Sequence, residues 1–200
     1  MNTPNKLTLA RMIMTPVFMA TMLINFPYHY AISLVIFIAA SLTDMIDGKM
    51  ARKYNLVTDF GKFLDPLADK MLTTAAYLGF MFVYSAINPN NYGIQITVIT
   101  FIVLFREFMV SSLRLVTANA GLVVAANIWG KLKTVSQMVG IIAALFFYTL
   151  MDDFGVAQYT TICNIMNIVI MVLFWISTVL CVISGLIYLN ECKSYINTSK

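Results

Sequence analysis

The sequence predicts an all-α integral membrane protein of about six transmembrane helices, and three observations lead there. Hydrophobic residues make up 60% of the chain and charged residues 11%, against about 25% charged in a soluble domain. Apolar runs recur at 8–27, 30–50, 63–87, 94–117, 131–150 and 160–189, each long enough at 1.5 Å per residue to cross a core of about 30 Å. Lysine and arginine gather at alternate ends of these runs, as in a chain that crosses a membrane back and forth.

Each element follows from this pattern. The stretch from Pro4 to Thr8 mixes polar and apolar residues and is expected to start as an interfacial helix before the first span. That span runs on through Met22, Leu23 and Ile24, too far for a cleavable signal, so the N-terminus is expected to be retained. Connections around Phe26 to His29 and Ile87 to Gly93 hold no lysine or arginine, and Met151 to Gln158 holds only Asp152 and Asp153. These three loops are expected to face outward, with His29 on the surface. The basic groups Lys6, Arg11, Lys49, Arg52, Lys53, Lys62, Arg114, Lys131, Lys133 and Lys193 all fall at the opposite ends. By the positive-inside rule both termini are then cytoplasmic, in a multi-pass protein of the cell membrane. With 200 residues and no Gly/Ser/Pro-rich linker, a single membrane domain over 1–200 is expected.

Several classes fall away on charge and cysteine usage. A net charge of +4 suggests nucleic acid, but the basic residues cap apolar runs instead of forming a solvated basic domain, so no nucleic-acid partner is expected. Cys163, Cys181 and Cys192 lie in or beside the last run without metal-type spacing and are expected to be packing residues.

The chemistry is concentrated where the second and third spans meet. Asp44 and Asp47 are three apart, so on a helix both carboxylates share a face; Gly61, Asp65 and Asp69 are each four apart and do the same on the next helix. An uncompensated aspartate near a bilayer centre costs at least about 2.5 kcal/mol on insertion scales, and adjacent carboxylates also repel. Four together call for bound cations, and oxygen-only ligation suits Mg²⁺, Mn²⁺ or Ca²⁺ better than zinc. Arg52 and Lys70 can each offset one carboxylate. Gly48 and Gly61 fit either close helix packing or the near approach of a nucleotide, and Arg52 sits on the face of Asp44 and Gly48 as a phosphate clamp.

Asp44 to Asp69 read D-x-x-D-G-x-x-A-R-(eight residues)-G-x-x-x-D-x-x-x-D, which resembles the signature of the CDP-alcohol phosphatidyltransferase family at all eight fixed positions. The resemblance implies a six-helix, usually homodimeric membrane enzyme that moves a phosphatidyl group from a CDP-linked lipid, here CDP-diacylglycerol, to an alcohol and releases CMP. It also implies that Asp44, Asp47, Asp65 and Asp69 hold the metals, with Mg²⁺ or Mn²⁺ as cofactor and Asp69 as general base. Gly48, Arg52 and Thr58 would contact the CDP group. Asn5 and Thr8 can reach that group too, although helix capping is an equal reading.

Outside the signature, NKLTLARMIMTP, LDPLADK, REFMVSSLR and WGKLKTVSQM resemble the bacterial branch of that family whose acceptor is sn-glycerol 3-phosphate. A dianionic acceptor needs further cations, and Arg106, Arg114, Lys131 and Lys133 are available for its phosphate. Arg106 stands inside an apolar run, eight residues before Arg114 and so nearly on the same helical face, with Glu107 as a possible ion-pair partner. The signature alone leaves phosphatidylglycerol open as acceptor, as in cardiolipin synthesis. From another class, a divalent-cation transporter would need polar groups continuing across the bilayer, and the outer halves of these spans carry only scattered Ser, Thr and Asn.

Overall fold

The computed structural model describes residues 2–53, 59–119, 128–155 and 160–196, with backbone alone at 47–53, 59–63, 65, 69 and several other positions. Six helices carry the chain: α1 (Thr3–Leu23), α2 (His29–Lys53), α3 (Asp59–Ile87), α4 (Ile94–Asn119), α5 (Ile128–Tyr148) and α6 (Thr160–Ile196). Five of them hold an apolar stretch long enough to span a bilayer among the described residues, and α2 holds the shorter His29–Asp44. Its later turns carry Asp47, Lys49, Arg52 and Lys53, which give the helix a charged C-terminal end.

Side-chain pairs give the directions of the helices. Thr21 meets Ser33 and Arg11 meets Asp44, so α1 and α2 run antiparallel. Ala31 meets Asp153 and Ser41 meets Met138, which sets α5 against α2 in the same sense. Tyr77 with Ser177 and Phe80 with Phe174 make α6 antiparallel to α3. Gln95 with Trp175, Arg106 with Ser184 and Arg114 with Tyr188 make it parallel to α4. The signature helices α2 and α3 are joined through α1, which packs against both. Gly79 on α3 permits that approach, since a Cβ there would come within 2.4 Å of Met22 Sδ.

Two readings change. The chain enters α1 directly at Thr3, with Pro4 in the first turn and Asn2 accepting a hydrogen bond from the Asn5 amide at 3.1 Å, so the stretch from Pro4 to Thr8 is continuous with the first span. Capping thus falls to Asn2, leaving Asn5 and Thr8 buried on the inner face of α1. His29 is buried instead of lying on the surface: it opens α2, stacks on Tyr30 with ring centroids 4.0 Å apart, and places Nε2 3.4 Å from Asp152 Oδ2. Beside it, the Ala31 amide donates to Asp153 Oδ2 at 2.7 Å, supplying one partner for the exposed amides of the first turn. Below this end Tyr30, Phe80, Tyr84, Tyr148 and Phe174 form a run of ring contacts at 5.2–6.2 Å that ties α2, α3, α5 and α6 together. Cys181 and Cys192 are fully buried, as packing residues should be.

Candidate active site

At the opposite end the helices diverge around a cavity of about 720 Å³ with a charged wall. α2 contributes Asp44 and α3 contributes Lys70. On α4 the periodicity of the helix brings Arg106, Val110 and Arg114 onto one stripe, with Glu107 and Ser111 one position over. α5 adds Lys131 and Lys133 from its first turns, and α6 adds Ser184 and Tyr188. All four basic residues expected around an acceptor phosphate, Arg106, Arg114, Lys131 and Lys133, therefore line one cavity together with the first aspartate of the signature.

The wall has a buried part and an open part. Arg106, Glu107 and Lys133 have side chains only 12%, 14% and 8% exposed. Glu107 Oε1 accepts from Arg106 Nη1 at 3.2 Å and from Lys133 Nζ, while Arg106 Nη2 donates to Ser184 Oγ at 2.8 Å. A charge in low dielectric is tolerable only with such partners, and removing one partner of a buried pair costs roughly 3–5 kcal/mol. Gly185 completes the seat, because a Cβ there would lie 3.0 Å from Arg106 Cγ. Lys70 donates to Ser111 Oγ. Arg114 and Lys131 are exposed, with the Arg114 guanidinium 5.9 Å from the Tyr188 ring centroid. The described wall holds five cations, Lys70, Arg106, Arg114, Lys131 and Lys133, against the carboxylates of Asp44 and Glu107, an environment that attracts a doubly charged anion.

Asp44 is held from α1. Arg11, whose side chain is 2% exposed, donates from Nη1 to Asp44 Oδ1 at 2.5 Å. The sequence reading gave Arg11 only a part in orientation. Its signal was the stripe Asn5, Thr8, Arg11, Thr15, Phe18 and Met22, three or four residues apart and all buried, which marks the inward face of α1. Ser184, Gly185 and Tyr188 belong to no motif in the sequence, although Cys181, Ser184, Tyr188 and Cys192 form a buried stripe of the same kind.

The other expected residues stand as follows. Asp47, Gly48 and Arg52 continue α2 beyond Asp44, and Gly61, Asp65 and Asp69 lie along the first half of α3, with their side chains outside the described set. Thr58 lies outside the described residues altogether. Asn5 and Thr8 are on α1 about two turns and about one turn before Arg11, and neither lines the charged cavity.

A six-helix apolar bundle with the aspartate signature on its second and third helices defines a class. The family model for CDP-alcohol phosphatidyltransferases matches residues 1–183, and the chain belongs to that family. Among curated relatives, the CDP-diacylglycerol–glycerol-3-phosphate 3-phosphatidyltransferase of Bacillus subtilis (strain 168) is 42% identical over 156 residues, 72% of this chain and 76% of the relative. The protein of the same name from Rickettsia bellii is 35% identical over 194 residues, covering 97% of both chains. That of Haemophilus influenzae is 32% identical over 194 residues, 96% of this chain and 94% of its own.

Proposed function

We propose that the chain transfers the phosphatidyl group of CDP-diacylglycerol to sn-glycerol 3-phosphate, giving phosphatidylglycerophosphate and CMP. Family membership supports the donor half, and relatives named for this reaction match almost the whole chain. The observation that carries the acceptor half is the meeting of Arg106, Arg114, Lys131 and Lys133, from two helices, in one cavity with Asp44.

In this reading the acceptor phosphate binds at the open, cationic part of the wall, where Arg114 and Lys131 are free to wrap it. The acceptor hydroxyl oxygen attacks the phosphorus that carries diacylglycerol, and the bond from that phosphorus to the CMP oxygen breaks. The hydroxyl proton passes to the Asp69 carboxylate, a role assigned by the family signature, and CMP leaves as the phosphate monoester. Gly48, Arg52 and Thr58 serve the CDP group, with Asn5, Thr8 and Gly61 as further candidates. Asp44, Asp47, Asp65 and Asp69 are the proposed holders of Mg²⁺ or Mn²⁺. Asp44 fits that role: Arg11 engages one carboxylate oxygen, and the side chain remains 44% exposed at the cavity edge. Divalent ions there would offset the pyrophosphate charge and favour departure of CMP. Arg11 fixes the rotamer of Asp44, and the apolar spans behind the wall exclude water from the reacting phosphorus.

The site is proposed to face the cytoplasm of a bacterial cell, in a homodimeric, multi-pass membrane enzyme. Purified protein given Mg²⁺, CDP-diacylglycerol and glycerol 3-phosphate should release CMP, and omission of the acceptor should stop it. CMP release indifferent to glycerol 3-phosphate, or phosphatidylglycerol acting as the better acceptor, would sink the reading.

A further inference from the structure

Glu107 is, with Asp44, an anion in a wall that carries five cations, and its geometry is lopsided. Both of its cationic contacts, from Arg106 Nη1 and Lys133 Nζ, end on Oε1. Oε2 accepts no hydrogen bond among the described residues, yet it is not one of the sealed, unpaired polar atoms of the interior. The side chain is 14% exposed and Glu107 lines the cavity, so Oε2 is the carboxylate oxygen left available to a ligand there. Two cations on one oxygen keep the carboxylate ionised, so the other oxygen is an acceptor only. Such an atom repels a phosphate and suits a hydroxyl.

The acceptor in the proposed reaction carries one phosphate and two hydroxyls, of which one attacks and one does not. We propose that Glu107 Oε2 accepts a hydrogen bond from the non-reacting C2 hydroxyl, which makes Glu107 the residue that reads the acceptor as a polyol. The inference rests on the acceptor assigned above. It also orients the ligand, because like-charge repulsion keeps the phosphate away from Glu107 and at the Arg114 and Lys131 side. A plain counter-ion for Arg106 and Lys133 would have no such preference.

The two roles separate in acceptor ratios. kcat/KM is measured for glycerol 3-phosphate, for its 2-deoxy analogue (3-hydroxypropyl phosphate) and for its 2-keto analogue (dihydroxyacetone phosphate), in the wild-type protein and in Glu107→Gln. A hydrogen bond to a charged group is worth about 10- to 100-fold, so the wild-type protein should lose about that factor with the deoxy analogue and at least as much with the keto analogue, which has no proton to donate. In Glu107→Gln the amide oxygen turns to Arg106 and Lys133, and the NH₂ enters the cavity as a donor. The preference for glycerol 3-phosphate over the keto analogue should then fall at least about tenfold. An equal loss for all three acceptors would overturn the proposal, since that is how a counter-ion behaves. Should the variant fail to fold, equal turnover of the deoxy analogue and glycerol 3-phosphate by the wild-type protein would overturn it alone. No turnover of any acceptor by the wild-type protein would instead defeat the proposed reaction, and this inference with it.

Discussion

Arg106, Glu107 and Lys133 at one end of the bundle, and His29, Asp152 and Asp153 at the other, are both charge clusters caught between helices, yet they are spent differently. In the second, Asp153 accepts from the Ala31 amide and Asp152 faces His29 Nε2, and a cavity of about 620 Å³ opens beside them with no lysine or arginine among its described lining residues. In the first, the three buried residues fix one another, leave Oε2 of Glu107 unused, and border a cavity of about 720 Å³ with exposed cations across it. Both ends border open volume, and only the first lines it with an excess of cations. Charge makes the difference, since a cavity rich in cations draws an anionic ligand and one lined by carboxylates repels it.

The comparison breaks if changes at the two ends have the same consequence. The largest expected effect is at Asp44: Asp44→Ala should lower kcat/KM for CMP release by at least roughly a thousandfold while the protein stays folded, because transition-state charge stabilisation worth several kcal/mol goes with it. A variant retaining a tenth of the activity would remove Asp44 from the site. Phe80→Ala, in the ring cluster, should instead destabilise the bundle by about 3–5 kcal/mol, read as a large fall in thermal midpoint, with KM for both substrates unchanged in the protein that remains folded. Finding its KM for glycerol 3-phosphate raised tenfold would erase the distinction between the ends.

Smaller effects sharpen it. Lys131→Ala removes an exposed cation from the open part of the wall and should raise KM for glycerol 3-phosphate roughly tenfold, leaving KM for CDP-diacylglycerol within about twofold. Equal rises in both constants would place Lys131 with the donor. At the far end, Asp153→Asn weakens one charge-assisted contact to the Ala31 amide and should cost about 1 kcal/mol of stability. Steady-state rates with either substrate should not move, and an altered acceptor KM would show that the aromatic end communicates with the site.

Much of the fold was legible because a bilayer imposes coarse rules: long apolar runs, helices to satisfy the backbone, and cations at alternate ends. The aspartate spacing was legible for the same reason, since acids in hydrocarbon demand an explanation. Arg11 reads as an anchor because it stands near the start of the first span and its partner Asp44 lies 33 residues away. His29 read as a surface residue, and its burial depends on Asp152 and Tyr30 closing over it.

By itself, then, the sequence determined the class of solvent, the six helices, the family and the spacing of the aspartates, which follow from local composition, periodicity and one short signature. Only the tertiary structure decided that Arg106, Arg114, Lys131 and Lys133 share one wall, that Arg11 holds Asp44, and that Ser184 and Gly185 seat Arg106. Helix periodicity says which residues share a face. Which faces meet is set by packing between helices distant in sequence, where a missing Cβ at Gly185 or a buried counter-ion at Glu107 leaves no periodic trace.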